Sequence, residues 1–243
     1  MRDPSNAAAA GDPAVRTFVV AGGTSGLGLA VARLLVEEQR VVVLSDQQEE
    51  VDRASDELGC AGAVCDVSSY DQVRAVFAEV ADRYGVIDGV AACASVWAGG
   101  DLEQLTPGHI RRAVEVNALG TTYVLKEALH HLRRQGYGNV VYVGAMAVVQ
   151  PRPGIPVYRA TKSYGSSLVE SLAEAQHSNR IKVMQLHPGP MPTRLQERVG
   201  DHFLDEIYAL PEQVAEEVVR LLLLDPDDLY VSGERVLRAD GRW

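Results

Sequence analysis

Short β-branched runs alternate with longer amphipathic stretches along nearly the whole chain. "RTFVVAG" precedes "LGLAVARLLVEEQ", "RVVVLSD" precedes a polar helical stretch through Leu58, and "GAVCDV" precedes a helix from Tyr70 to Tyr84. The rhythm continues with a strand at "DGVAACA", a helix opened by Thr106 as N-cap with Pro107 at its first position, and a helix through "NALGTTYVLKEALHHLRR". "NVVYVGA" and "IKVMQLH" read as strands on either side of a helix carrying "YRATKSYGSSLVESLAEAQ". "PEQVAEEVVRLLLL" follows as helix and "YVSGERVL" as strand. Such alternation predicts βαβ units and a parallel sheet. The strands are apolar almost continuously rather than at every second position, so both faces of the sheet must be covered. The expected fold is therefore α/β, a doubly wound parallel sheet of about seven strands flanked by helices, with ligands gathering at the carboxyl ends of the strands.

One turn bears directly on such a ligand. Between the first strand and the first helix, "AGGTSGLG" sets Gly22, Gly26 and Gly28 where the chain must turn tightly and where a pyrophosphate can approach a helix N-terminus. The spacing is GxxxGxG, and a glycine-rich turn alone is equally a device for close packing. Asp46 changes the weight of that observation. It ends the second strand, where an acid hydrogen-bonds both ribose hydroxyls of NAD and repels the 2′-phosphate of NADP. Ser25, Gln47 and Gln48 provide no arginine for that phosphate, so NAD is the expected coenzyme. Asp66, closing the third strand, has two readings: a partner for an adenine amino group, or a cap for the next helix.

"YRATK" then places a phenol and an amine one helical turn apart, at Tyr158 and Lys162. A phenol with a pKa near ~10 is a poor base at neutral pH, and a neighbouring ammonium makes its phenolate accessible. The plain alternative is an exposed aromatic ring beside a solvated cation. Lysine occurs only at Lys126, Lys162 and Lys182, which makes an incidental lysine here less expected.

Composition narrows the classes. A chain of 243 residues, 47% apolar, suits one α/β domain over residues 15–243, preceded by a disordered extension over residues 1–14. A net charge of −10 argues against nucleic acid as a partner, since a phosphate backbone requires a basic face. Cys60, Cys65 and Cys93 show neither metal-ligand spacing nor a disulfide framework, so no metal is expected and the thiols read as reduced and cytoplasmic. No apolar run approaches a membrane span, and the start of the chain lacks signal-peptide order.

In order along the chain, "GGTSGLG", Asp46, "CDV", "VEVNALG" with Asn117, "YRATK", "HPGPMPT" ending in Thr193, and "YVSGE" resemble the short-chain dehydrogenase/reductase family, over essentially Val15 to Gly241. The resemblance implies a nicotinamide enzyme that passes hydride between coenzyme and an alcohol or carbonyl, working as a homodimer or homotetramer. It implies a catalytic set of Tyr158, Lys162 and Asn117, with Asn117 holding a water that relays protons towards Lys162. It places the coenzyme on Gly22, Thr24, Ser25, Gly26, Leu27 and Gly28, on Asp46, Asp66, Val67 and Ala92, on Tyr158 and Lys162, and on Pro188, Gly189, Met191 and Thr193. Thr193 would contact the nicotinamide carboxamide; its plain alternative is an N-cap.

Two departures stand out. The serine that ends the fifth strand in the family, a donor to the substrate oxygen, falls here on Ala145. Loss of one pre-organised donor typically lowers the rate by ~10²–10³. The family's NNAG stretch reads Ala92, Cys93, Ala94, Ser95. Three explanations are open: a surrogate donor, with Ser95 the nearest and Thr161 or Ser163 less well directed; a substrate that needs less polarisation; or a protein that binds NAD without redox turnover. Trp97, Met146, Val148 and Ile155 suit either an apolar pocket or the core. Arg152, Arg159 and Arg194 suit either a substrate carboxylate or solvent. His130, His131 and His187 receive no catalytic role. The short segment between Thr193 and Pro211 implies a comparatively open site. The expectation is an NAD(H)-dependent oxidoreductase acting on a secondary alcohol or ketone of a small molecule, the alternative a non-redox or silent NAD-binding relative.

Overall fold

The computed structural model describes residues 15–176, 180–193, 195 and 209–227 and the backbone of 234–237. The expected extension over residues 1–14, Arg194 and most of the segment between Thr193 and Pro211 lie outside the described residues. Strands β1 (Thr17–Ala21), β2 (Arg40–Ser45), β3 (Ala61–Val64), β4 (Gly89–Ala92), β5 (Tyr137–Val143) and β6 (Arg180–Pro188) pair in parallel, and the backbone of β7 (Glu234–Leu237) pairs beside β6. Their order across the sheet is β3-β2-β1-β4-β5-β6-β7. The direction of winding reverses between β1 and β4, which opens a crevice there at the strand carboxyl ends.

Strand geometry explains the unbroken apolar runs. Successive side chains point to opposite faces, so Val19 and Ala21 of β1 enter one core while Phe18 and Val20 enter the other. The first core receives α3 (Tyr70–Tyr84), α5 (Thr121–Gln135) and α6 (Pro156–Ala175), through residues such as Phe77, Leu125 and Val169. The second receives α1 (Gly26–Leu35) through Val31 and the last described helix (Pro211–Leu222) through Val214 and Val218. Helix α2 (Gln48–Leu58) buries only a narrow strip, Val51, Ala54 and Ser55, and is otherwise polar. No helix of the described residues is long and apolar enough to cross a membrane.

The stretch leading into α5 departs from a regular helix. Thr106 accepts a hydrogen bond from the His109 N–H at 3.2 Å and caps α4 (Pro107–Ala113), as expected. From Val114 to Gly120, however, the chain winds as a π-helix before α5 begins at Thr121. π-helical turns often occur at functional sites, and this one carries Asn117. Gly120 is the close-approach residue, because a Cβ there would lie 2.8 Å from Val67 Cγ2.

Candidate active site

The glycine turn fits a pyrophosphate. Gly22 and Gly26 take positive φ, 77° and 51°, which glycine adopts without strain. A Cβ on Gly28 would overlap the Gly22 carbonyl oxygen, so α1 can start hard against the end of β1 only with glycine there. Ser25 is the N-cap of α1, and no side chain caps that first turn; a dinucleotide phosphate would complete it. Gly22, Ser25, Gly26, Leu27 and Gly28 line a cleft that runs on to Tyr158, Lys162, Pro188, Gly189, Met191 and Thr193. Thr193 lies against the turn, its Cγ2 3.3 Å from where a Gly26 Cβ would be. Thr24 is buried and donates to Glu50 at 3.1 Å.

The cleft continues over the ends of β2 and β3, lined by Thr24, Asp46, Asp66 and Val67. Both carboxylates are paired there. Arg112, in the last turn of α4, reaches Asp46 Oδ2 at 3.1 Å, Asp66 Oδ2 at 3.2 Å and Ser68 Oγ at 3.0 Å. Asp66 also accepts from the Ser68 N–H and hydroxyl at 2.9 and 2.7 Å. Partial burial pulls its pKa upward, but the hydrogen bonds from Ser68 and Arg112 outweigh burial and hold it below the usual carboxylate value. The helix-cap reading of Asp66 is not realised, since Ser69 is the N-cap of α3. The absence of an arginine near Asp46, inferred from its sequence neighbours, is corrected: Arg112 arrives from α4.

At the other end Tyr158 and Lys162 are 7% and 2% exposed, too buried for the solvated reading. The Tyr158 ring packs on Trp97, with centroids 4.8 Å apart. Burial pushes its phenol up to about 12, and a hydrogen bond from Ser95 acts against that rise. Burial draws the Lys162 amine down to about 8, and its Nζ donates to the Val143 carbonyl at 2.9 Å. Lys162 is not among the groups that bring the phenol down, contrary to expectation: the lysine loses its proton first, and the phenol stays protonated at neutral pH.

Asn117 sits behind the cleft, fully buried. Its Oδ1 accepts from Val96 N–H at 2.8 Å and Ser95 Oγ at 3.2 Å, and its Nδ2 donates to Val96 O at 3.0 Å and Thr161 Oγ1 at 3.1 Å. It clamps the loop after β4 onto α6. Ser95, bonded to both Asn117 and the Tyr158 phenol, is the surrogate candidate that the fold brings to the site, whereas Thr161 is engaged with Asn117 and the Tyr158 carbonyl. Ala145 lines the cleft without a hydroxyl, and its N–H donates to His187 Nδ1 at 3.3 Å. Burial holds His187 down at about 4. A Cβ on Gly144 would overlap that ring, so the small residues ending β5 and the histidine behind them are complementary.

Trp97, Met146 and Ile155 line the cleft with Leu195, and Arg152 stands among them. Val148 is not among the lining residues; Ala147 is. Arg159 instead fastens the turn before α6, donating to Ala147 O at 2.9 Å and Val148 O at 3.3 Å. Ala92, the last residue of β4, is buried, and Cys93, Ala94 and Ser95 form the wall. His130 and His131 face a separate groove between α3 and α5.

Residues 16–203 match the family model described as short chain dehydrogenase. The chain is similar to carbonyl reductase family member 4 of Xenopus laevis, 29% identical over 233 residues, covering 93% of this chain and 97% of that one. It is similar to cis-4-hydroxycyclohexanecarboxylate dehydrogenase of Sinomonas cyclohexanicum, 31% identical over 242 residues, covering 94% and 96%. Among solved structures, a variant of actinorhodin polyketide ketoreductase with NADPH superposes with a TM-score of 0.85 at 26% identity, covering 91% of this chain and 95% of that one. With its glycine turn, reversed strand order and buried Tyr158–Lys162 pair, the chain belongs to the short-chain dehydrogenase/reductase family.

Proposed function

We propose that this protein is an NAD(H)-dependent oxidoreductase that interconverts a carbonyl and a secondary alcohol on a small molecule. The observation that carries the reading is the buried Tyr158–Lys162 pair at the head of the cleft that starts at the glycine turn. The nicotinamide, when bound, supplies or accepts the hydride. The glycine turn, the open first turn of α1 and Asp46 would hold the dinucleotide. Tyr158, protonated at neutral pH, is suited to donate its proton to a carbonyl oxygen, which favours the reductive direction. As that proton leaves, the Ser95 hydroxyl turns its single proton from Asn117 Oδ1 to the phenolate, while Asn117 Oδ1 keeps the Val96 N–H. Asn117 keeps Ser95 in place by binding both it and the following residue.

Trp97, Met146, Ile155 and Leu195 favour a compact apolar substrate, and Arg152 among them suits a carboxylate. The name of the Sinomonas relative describes a substrate of that kind, an alicyclic hydroxy acid. We assign a homodimer or homotetramer in the cytoplasm, on the family resemblance and the free thiols. The test pairs binding with turnover. NADH fluorescence should change on mixing, and Tyr158→Phe should keep that change while turnover falls by ~10²–10⁴. Undiminished turnover in Tyr158→Phe would remove the mechanism.

Ala145 favours a second reading, a non-redox or silent NAD-binding protein, because the donor to a developing oxyanion is missing. Conversion of substrate with no net change in coenzyme redox state would support it.

A further inference from the structure

The function above makes no use of Arg112, which lines the part of the cleft over the ends of β2 and β3. It comes from α4, 66 residues beyond Asp46, and bridges the ends of two neighbouring strands by pairing with Asp46 and Asp66. Its side chain is 38% exposed and lines the same pocket as both acids. The acid at the end of β2 selects against NADP by repelling the 2′-phosphate. That repulsion requires an uncompensated carboxylate. Here the carboxylate carries a guanidinium at 3.1 Å, and a guanidinium is the side chain best shaped to bind phosphate through parallel N–H donors.

We propose that Arg112 sets coenzyme selectivity: by neutralising Asp46 and presenting its donors beside the ribose position, it admits NADP(H) to a site that Asp46 alone would reserve for NAD(H). With NAD(H), Asp46 serves the ribose hydroxyls and Arg112 remains on Asp66 and Ser68. With NADP(H), the guanidinium answers the extra phosphate. The proposal rests on reading the cleft as a dinucleotide site, and adds a second coenzyme to it.

The experiment is titration of the full chain with NADH and with NADPH, followed by nucleotide fluorescence, for the parent, Arg112→Met and Arg112→Lys. The parent should bind both, with dissociation constants within about tenfold, and the NADPH constant should rise more steeply with salt. Arg112→Met should weaken NADPH by tenfold or more, about 1.4 kcal/mol, and change NADH by less than threefold. Arg112→Lys, which keeps the charge and loses the fork, should fall between them and controls for repulsion between the two acids left behind. Equal losses for both coenzymes in Arg112→Met, or a parent that binds NADH and ignores NADPH, would overturn the role of Arg112 and leave the dinucleotide site standing. A parent that binds neither would overturn both.

Discussion

In the proposed reaction Ala145, with only a methyl group, leaves the substrate oxygen to a single phenol, Tyr158. Its backbone is extended, with φ −158° and ψ 147°, and it lines the cleft that Tyr158 enters. A hydroxyl added there meets the polar requirement of a developing oxyanion, and nothing about an extended backbone opposes serine. Ala145→Ser should therefore raise kcat towards an unactivated ketone by at least tenfold, and by no more than the ~10²–10³ that one such donor supplies. Steady-state assay of both proteins on the same ketone checks it. A fall in kcat would mean that the methyl group is fitted to the natural substrate. The Tyr158–Lys162 spacing was legible in the sequence because one helical turn is a local pattern, whereas Ala145, two residues beyond β5, stands out only through the family resemblance, counting back from Tyr158. Arg112 and the Ser95–Tyr158 bond were not legible. Each joins segments far apart in sequence, and no local pattern records which of several arginines or serines a fold will turn inward.

Elements read well wherever one period dominated. Strand alternation into two cores, the Thr106 cap and the Tyr70–Tyr84 helix follow directly from apolar pattern and cap chemistry. The π-helical turn at Val114–Gly120 did not, because widening a helix by one residue per turn hardly alters its apolar stripe, and only the Asn117 clamp and the Gly120–Val67 contact show why it forms there. The anchoring of the last described helix, α7 (Pro211–Leu222), was likewise hidden. Its final carbonyls cannot bond within the helix. Two strand residues and the residue before β1 serve them and the chain that follows: Asn139 donates to Leu222 O and Leu224 O at 2.9 and 2.8 Å, Lys182 to Asp225 O and Pro226 O at 2.7 and 2.8 Å, and Arg16 to Leu223 O at 3.0 Å. Asn139→Leu keeps the number and branching of the side-chain heavy atoms and removes the amide that makes two of these bonds from a buried position. It should lower stability by roughly 2–4 kcal/mol, read as an earlier urea midpoint with an unchanged slope. An unmoved midpoint would show that water reaches those carbonyls.

At the scale of the whole molecule, the buried Lys162 opposes folding. Its pKa is about 8 in the folded protein and ~10.4 in an unfolded chain, so between those values the unfolded state holds a proton that the folded state lacks. Stability contributed by this group therefore rises with pH across that window, and the full penalty, about 3 kcal/mol, applies below pH 8. His187 acts in the same sense at lower pH: folded at about 4 against ~6.5 unfolded, it withdraws stability as pH falls through that interval. From these two groups alone the stability curve is flat between about pH 6.5 and 8 and slopes on either side. Lys162→Met removes the charge and keeps the stem. It also forfeits the bond to Val143, about 1 kcal/mol. The variant should therefore be inactive yet more stable at pH 7 by about 2 kcal/mol, an advantage that disappears by pH ~10.5 and changes sign once the parent lysine is neutral in both states. Urea unfolding of parent and variant at both pH values measures it. Function at this site is held against stability, and a variant no more stable at pH 7 would mean that its surroundings already compensate the buried ammonium.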